Sequence, residues 1–387
     1  MLQETVLIAR AEAPKKTYPN TLQTLAKQFW YSGEYGNVLE FAEELERESG
    51  ILAVCVTDEE QRPLGIVRRE QLFLTLSKRF GREIMSKKTV QDCMENVLVY
   101  PGESNILLIQ ESFRESRFQE NFIVLVDSGG AFSGILSLRD ITDFMVELTN
   151  EDIALASLLQ ERFLTNTDDI EWSGIGVDTW WSSAKGVGGD FYFIKKINDT
   201  QFFATLCDVS GKGVAASLVV SMAWGFLRGH SMENGLKELL TSLNESIVGS
   251  FHMEKYLTGF FMIYDCQARR LQISDMGHAH TVFLRKGQSM SMKKTQINLP
   301  IGVEVELEPV IYAFQIQNGD TLLVYSDGIP EQDNPDGEEF GEKRIIALAK
   351  QAEQQGEKLS EILPRSLDEF RLHTPQRDDM TFLQFRF

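Results

Sequence analysis

Four short acidic motifs in the second half of the chain constrain its fold more than any other feature. They are Gly188-Gly189-Asp190, Asp208-Val209-Ser210-Gly211-Lys212-Gly213, Tyr325-Ser326-Asp327-Gly328 and Arg377-Asp378-Asp379-Met380-Thr381. Only residues three or four apart meet on one helix face, so these carboxylates cannot be neighbours along a helix. If they act together, the fold must gather strand ends and loops around one point. Asp208 ends the apolar run Phe202-Phe203-Ala204-Thr205-Leu206-Cys207, Asp327 follows Leu322-Leu323-Val324-Tyr325, and Asp378 precedes the apolar C-terminal run. Hard divalent cations are the usual reason for such a gathering, because magnesium and manganese take oxygen ligands and need only a few carboxylates. The residues alone therefore point first to a metal-dependent hydrolase.

A chain of 387 residues is long enough for two or three domains. Hydrophobic residues at 43% and charged residues at 25% are the balance of a chain that folds throughout. A formal charge of -19 disfavours nonspecific binding to nucleic acid or anionic lipid, which needs a basic face, so proteins and small ligands are the expected partners. Cys55, Cys93, Cys207 and Cys266 show no C-x-x-C spacing, which suggests neither zinc nor a disulfide framework. No apolar stretch approaches the roughly 20 residues of a membrane span, and no secretion signal opens the chain. A cytoplasmic setting is expected.

Residues 38–148 repeat themselves. Each copy reads as an amphipathic helix, an apolar strand, a polar turn, a return strand and a further helix. In the first copy the helix is 38–49 and the strands are Leu52-Ala53-Val54-Cys55-Val56 and Pro63-Leu64-Gly65-Ile66-Val67. In the second the helix is 106–116 and the strands are Asn121-Phe122-Ile123-Val124-Leu125-Val126 and Phe132-Ser133-Gly134-Ile135-Leu136-Ser137. This pattern resembles a pair of CBS repeats (cystathionine-beta-synthase type), a regulatory module that binds adenosine-containing ligands. The resemblance implies an adenine nucleotide contacted by Ser137 and Asp140. The first copy departs from it, with Arg68 and Gln71 at the corresponding positions. Asp140 reads equally well as a cap for the following helix, 141–148.

A helical stretch over 147–166, with Ile153, Leu155, Leu158, Leu159 and Phe163 and no glycine or proline, has one apolar face. That face could pair with its twin in a homodimer or pack on its own domain. Beyond it, strands are expected at 202–207, 256–264, 271–274, 281–284, 310–316, 321–325 and 380–387, and helices at 214–228, 234–248, 343–351 and 359–370. The short turn at 265–270 implies an antiparallel hairpin, so the predicted fold class is α+β: antiparallel sheets flanked by helices.

The order and wording of the four acidic motifs resemble the metal-dependent protein serine/threonine phosphatases (PPM), in their bacterial SpoIIE/RsbU-like branch. The likeness extends over about 153–387 and includes Gly277-His278, Leu299-Pro300-Ile301-Gly302, Gly319-Asp320 and Glu338-Glu339-Phe340-Gly341. It implies a β-sandwich flanked by helices at 169–387, after an N-terminal helical segment (1–35), the repeat pair (36–148) and a connector helix (149–168). It also implies two Mn2+ or Mg2+ ions, with Asp208 bridging them, the Val209 carbonyl as a further ligand, Asp327 and Asp378 completing one site, and Asp190 serving the other. The implied reaction is direct hydrolysis of phosphoserine or phosphothreonine on a partner protein, a STAS-type anti-sigma factor antagonist. Ser210 stands where relatives carry a proton-donating histidine, Phe193 where they often carry another aspartate, and Met276 and His280 flank the glycine-histidine pair. A pseudo-phosphatase that binds a phosphoprotein and senses a nucleotide is the non-enzymatic alternative. Lys212 reads either as a phosphate-attracting residue or as a solvent-facing loop lysine.

Overall fold

The computed structural model describes residues 7–13, 18–107, 122–164, 174–278, 280–290 and 298–387, and divides into two units, 1–150 and 151–387. Most of the helix expected at 106–116, and Trp172, lie outside the described residues.

The first unit contains β1 (Ile8–Arg10), α1 (Leu22–Leu25), β2 (Trp30–Gly33), α2 (Val38–Arg47), β3 (Ala53–Thr57), β4 (Pro63–Arg68), α3 (Arg69–Leu76), α4 (Gly81–Met85), β5 (Leu98–Pro101), β6 (Phe122–Val126), β7 (Phe132–Ser137) and the start of α5 (Leu138–Leu164). Two sheets result, ordered β1-β2-β3-β4 and β5-β6-β7. The helical segment expected at 1–35 is not what forms: its described residues supply β1 and β2, which pair with each other, and only the four-residue α1 between them. In each, a parallel pair (β2/β3 or β5/β6) is followed by an antiparallel pair (β3/β4 or β6/β7). The likeness reaches single residues. The register shifts between Val56, paired with Gly65, and Thr57, paired with Pro63; it shifts again between Leu125, paired with Gly134, and Val126, paired with Phe132. Every one of these positions recurs 69 residues later, so the repeat read in the sequence is a structural repeat down to its bulge. Asn37 starts α2 by accepting from the Leu39 amide at 2.9 Å, while Phe41, Ala42 and Leu45 bury its apolar face.

Helix α5 begins with a reciprocal capping box. The Ser137 amide donates to Asp140 Oδ2 at 2.8 Å, and the Asp140 amide donates to Ser137 Oγ at 3.2 Å. The two helices expected at 141–148 and 147–166 are one 27-residue helix, because nothing in the intervening sequence supplies a stop.

The second unit is built from two five-stranded sheets, antiparallel throughout. One is ordered β15-β12-β11-β10-β9, from β9 (Asp190–Lys196), β10 (Gln201–Val209), β11 (Leu257–Asp265), β12 (Arg270–Met276) and β15 (Tyr312–Gln315). The other is ordered β14-β13-β16-β17-β8, from β8 (Gly176–Ser182), β13 (Thr281–Arg285), β14 (Gln288–Met290), β16 (Thr321–Tyr325) and β17 (Met380–Arg386). Strand alternation divides the second sheet between two cores. Leu322, Val324, Leu383 and Phe385 pack toward the first sheet, where Phe202 stacks on Phe385 at 5.8 Å. Leu323, Tyr325 and Phe382 face outward onto α8 (Gly341–Gln355) and α9 (Leu359–Arg371). Helices α6 (Val214–Gly229) and α7 (Leu236–Phe251) bury Val219, Val220, Leu227, Leu239 and Leu243 in the core that contains the first sheet. The layering is therefore the helix-flanked antiparallel sandwich expected from the sequence.

Phe193 belongs to the core, edge-on to Trp224 at 5.8 Å. Trp180 packs on Phe382, and Trp181 lies against the core between the sheets. Among the described residues no helix is long and apolar enough to cross a membrane.

Candidate active site

Four chain segments meet where the two sheets end. Asp190 opens β9 and is the cross-strand partner of Asp208 in β10, which sets their Cα atoms about 5 Å apart. Asp327 lies just after β16 and Asp378 just before β17, and these two loops are stitched together. The Ser326 amide donates to the Thr381 carbonyl at 2.9 Å, and the Thr381 amide donates to Ser326 Oγ at 2.9 Å. At Gly328 a Cβ would stand 2.1 Å from the Asp379 carbonyl oxygen, so only glycine lets the Asp327 loop approach that closely. Buried His278 supports the same loop through a 2.8 Å hydrogen bond between Nε2 and the Tyr325 carbonyl.

The Gly188-Gly189 loop is held from two directions. Asp379 accepts from the Ala184 amide at 2.9 Å and the Gly189 amide at 2.7 Å. Gln160, 3% exposed and near the end of α5, donates from Nε2 to the Gly188 carbonyl at 2.9 Å and accepts from the Gly188 amide at 3.0 Å. A Cβ on Gly189 would lie 2.8 Å from the Val209 carbonyl oxygen and 3.3 Å from Asp208 Oδ1. The glycine pair thus brings backbone against two of the groups expected to serve a metal.

Electrostatics follow from this crowding. Burial, then the charges of Asp327, Asp378 and Asp379, pushes the Asp208 carboxyl up to about 7, with Lys212 acting in the opposite direction. Burial, then Asp208, raises Asp190 well above the ordinary carboxylate range, and its Oδ2 is buried with no hydrogen-bond partner. An orphaned oxygen beside repelling carboxylates is a donor set suited to a hard cation. Among the described residues, however, no three acidic, histidine or cysteine side chains already stand close enough to hold an ion. Asp378 is engaged elsewhere, its Oδ2 accepting from Lys212 Nζ at 2.5 Å.

All four predicted aspartates and Val209 are gathered in this region. Gln160 and Asp379 are the residues that sequence reasoning left without a part, and Lys212, read as either phosphate-attracting or solvent-facing, meets Asp378. The Asp-Asp doublet was the available signal for Asp379; Gln160 carried none, being one polar residue in an apolar helix stripe. Ser210 is used by the backbone, its Oγ accepting from the Tyr256 amide at 3.1 Å.

In the first unit a cavity of about 1110 Å3 is lined by the starts of α3 and α5, with Arg68, Arg69, Gln71, Ser137, Arg139 and Thr142 among its walls. Ser137 borders it. Asp140 does not: it closes the capping box and pairs with Lys27 at 2.6 Å, so its role here is the structural one. Lys27 and Ser137 outweigh the effect of burial and hold the Asp140 carboxyl below its usual range.

Residues 198–387 match the family model described as Stage II sporulation protein E (SpoIIE). The chain is 23% identical to the phosphoserine phosphatase RsbU of Bacillus subtilis over 341 residues, covering 84% of this chain and 97% of that one. It is 22% identical to the phosphoserine phosphatase RsbP of the same organism, spanning 53% of this chain and 55% of RsbP. The SiaA-PP2C domain of Pseudomonas aeruginosa superposes with a TM-score of 0.54 at 20% identity, covering 63% of this chain and 98% of that structure, which shows a shared fold. Over its C-terminal unit the chain is thus similar to the SpoIIE family model and to the phosphoserine phosphatases RsbU and RsbP, and it shares the fold of the SiaA-PP2C domain.

Proposed function

We propose that the chain is a metal-dependent protein serine/threonine phosphatase acting in the cytoplasm, with an N-terminal ligand-sensing module. The observation that carries the reading is the convergence of Asp190, Asp208, Asp327 and Asp378 from four segments, crowded enough to push Asp208 up to about 7. The RsbU and RsbP similarities support a phosphoserine, or by the same chemistry a phosphothreonine, as substrate. The partner protein that carries it is, on this proposal, a STAS-type anti-sigma factor antagonist. Asp190, Asp208, the Val209 carbonyl, Asp327 and Asp378 would hold two Mn2+ or Mg2+ ions. Such ions, when bound, supply a Lewis acid and lower the pKa of water so that it attacks phosphorus at neutral pH. The chain's own part is positioning. Gly188 and Gly189 leave room beside Asp208, Asp379 and Gln160 fix that loop, and Ser326 ties the Asp327 segment to the Asp378 segment.

The CBS-like reading of the first unit rests on the 69-residue structural repeat and on the cavity between equivalent helix starts. An adenine nucleotide there would meet Ser137 and the arginines rather than Asp140. Helix α5 starts at this cavity and carries Gln160 to the Gly188 loop, which supports regulation through the helix. Ile153 and Gln160 face their own unit, whereas Leu155, Leu158 and Leu159 are exposed, which supports a homodimer through α5.

Phosphate release from a generic phosphoester, with and without manganese, tests the chemistry. Activity that survives chelation overturns the metal mechanism. Absence of release from folded, manganese-loaded protein favours the pseudo-phosphatase, a reading supported by the engagement of Asp378 with Lys212. Calorimetry with ATP and AMP on the full chain tests the module, and no heat of binding removes nucleotide sensing.

A further inference from the structure

Lys212 occupies an unusual place. It lies between Gly211 (φ 96°) and Gly213 (φ 73°), immediately before α6. Its Nζ donates to Asp378 Oδ2 at 2.5 Å and to the Arg377 carbonyl at 3.1 Å. The neighbouring cations have other duties: Lys255 Nζ donates to the Ser210 carbonyl at 3.0 Å, and Arg377 pairs with Asp333. Among the described residues, Lys212 thus meets the carboxylate cluster directly through Asp378.

The inference rests on reading that cluster as a two-metal phosphatase centre. A carboxylate oxygen that serves a divalent ion has little to offer an ammonium, and two cations on one oxygen repel each other. The other oxygen of Asp378, Oδ1, already accepts from the Asp379 amide at 3.0 Å, so a metal that takes Oδ2 displaces Lys212. Lys212 can move, because its side chain is 45% exposed on a flexible four-carbon stem, and the flanking glycines place no side chain against it. The ligand arriving at such a centre is a phosphate monoester, a dianion with oxygens to spare after metal contact. Lysine binds such groups as a compact point charge.

We propose that Lys212 exchanges partners, holding Asp378 in the metal-free protein and a non-bridging phosphoryl oxygen of phosphoserine or phosphothreonine once a divalent ion takes that carboxylate. Metal loading is then an exchange of cations, and the displaced ammonium becomes part of the substrate site. The two halves predict opposite effects of one substitution. Removing the ammonium relieves competition for Asp378 but deprives the phosphoryl group of a partner.

The test uses the full chain, with manganese and inorganic phosphate as probes and calorimetry as readout. Lys212→Ala should bind manganese at least as tightly as the native protein, while phosphate binding to the manganese-loaded protein weakens about tenfold or more. Lys212→Arg, which keeps the charge, should stay within about threefold for phosphate. Equal phosphate affinity in the native and alanine proteins overturns the proposal, as does a manganese affinity that falls in the alanine variant. Native protein that loads manganese but binds no phosphate overturns it as well. A parallel assay of p-nitrophenyl phosphate hydrolysis separates the two levels: native protein that turns nothing over, while the phosphate difference persists, refutes catalysis and leaves the Lys212 assignment intact.

Discussion

Replacing Gln160 by alanine tests whether helix α5 controls the metal centre through one side chain. Both polar ends of that amide are spent on Gly188, and the residue is 3% exposed. In Gln160→Ala the Gly188 amide and carbonyl lose their partners in a buried setting, at a total cost of about 2 to 4 kcal/mol. If the Gly188-Gly189 loop takes up that cost by loosening, metal binding must reorder it. The apparent manganese affinity should then fall about 30-fold or more, since each 1.4 kcal/mol is tenfold. The assay is phosphate release against manganese concentration, with thermal melting in parallel. Saturating manganese should restore most of the maximal rate. A variant that melts earlier yet shows the native manganese dependence refutes the coupling and leaves Gln160 as a packing residue.

Further substitutions probe the carboxylates and the loops that carry them. Asp208→Asn should abolish turnover while stabilising the metal-free protein, because it removes a charge that its neighbours repel. The pH dependence has a defined sign. Asp208 titrates near 7 folded against about 3.9 unfolded, so the folded state holds the proton more tightly and metal-free stability falls as pH rises between those values, by on the order of 4 kcal/mol at most. Chelator-treated melts between pH 5 and 8 should show that slope in the native protein and a shallower one in Asp208→Asn; identical slopes reject the assignment. Gly328→Ala forces a Cβ to within 2.1 Å of the Asp379 carbonyl oxygen, so the Asp327 loop must shift. A loss of about 1 to 3 kcal/mol and of metal affinity is expected, measurable by denaturant unfolding and manganese titration. Asp320 is 1% exposed and binds Arg285 through both oxygens, at 2.9 and 2.6 Å. Asp320→Ala should destabilise the fold by about 3 kcal/mol with metal affinity unchanged, and an unaltered denaturation midpoint would show the pair to be dispensable.

The sandwich was legible because its central strands are apolar runs broken by glycine turns, and β10, β11 and β16 fall where those runs lie. Strand β9 was missed although Phe191-Tyr192-Phe193-Ile194 is an apolar run, because the Gly188-Gly189-Asp190 motif that opens it reads as a loop; its place is set by pairing with β10. The aspartates could be read from motif order. The groups that hold them in place are long-range. Gln160 contacts a residue 28 positions away, Asp379 one 190 away and Lys212 one 166 away, and none of these pairings has a local periodicity to betray it. In the repeat, the 69-residue offset was visible in outline, but the preference of Asp140 for Lys27 and Ser137 over the cavity depended on side-chain geometry.

The unbroken α5 also sets a phase relationship. Its 27 residues span about 40 Å, and each residue advances the helix by about 100°. Ile153 and Gln160, seven residues apart and so about 20° out of phase, both face the 186–188 segment; one alanine inserted between them would put them about 80° apart, whereas four would return them to within about 20°. Two side chains on one rigid helix thus grip the segment before Asp190 at a fixed angle to each other, which a slack tether could not do.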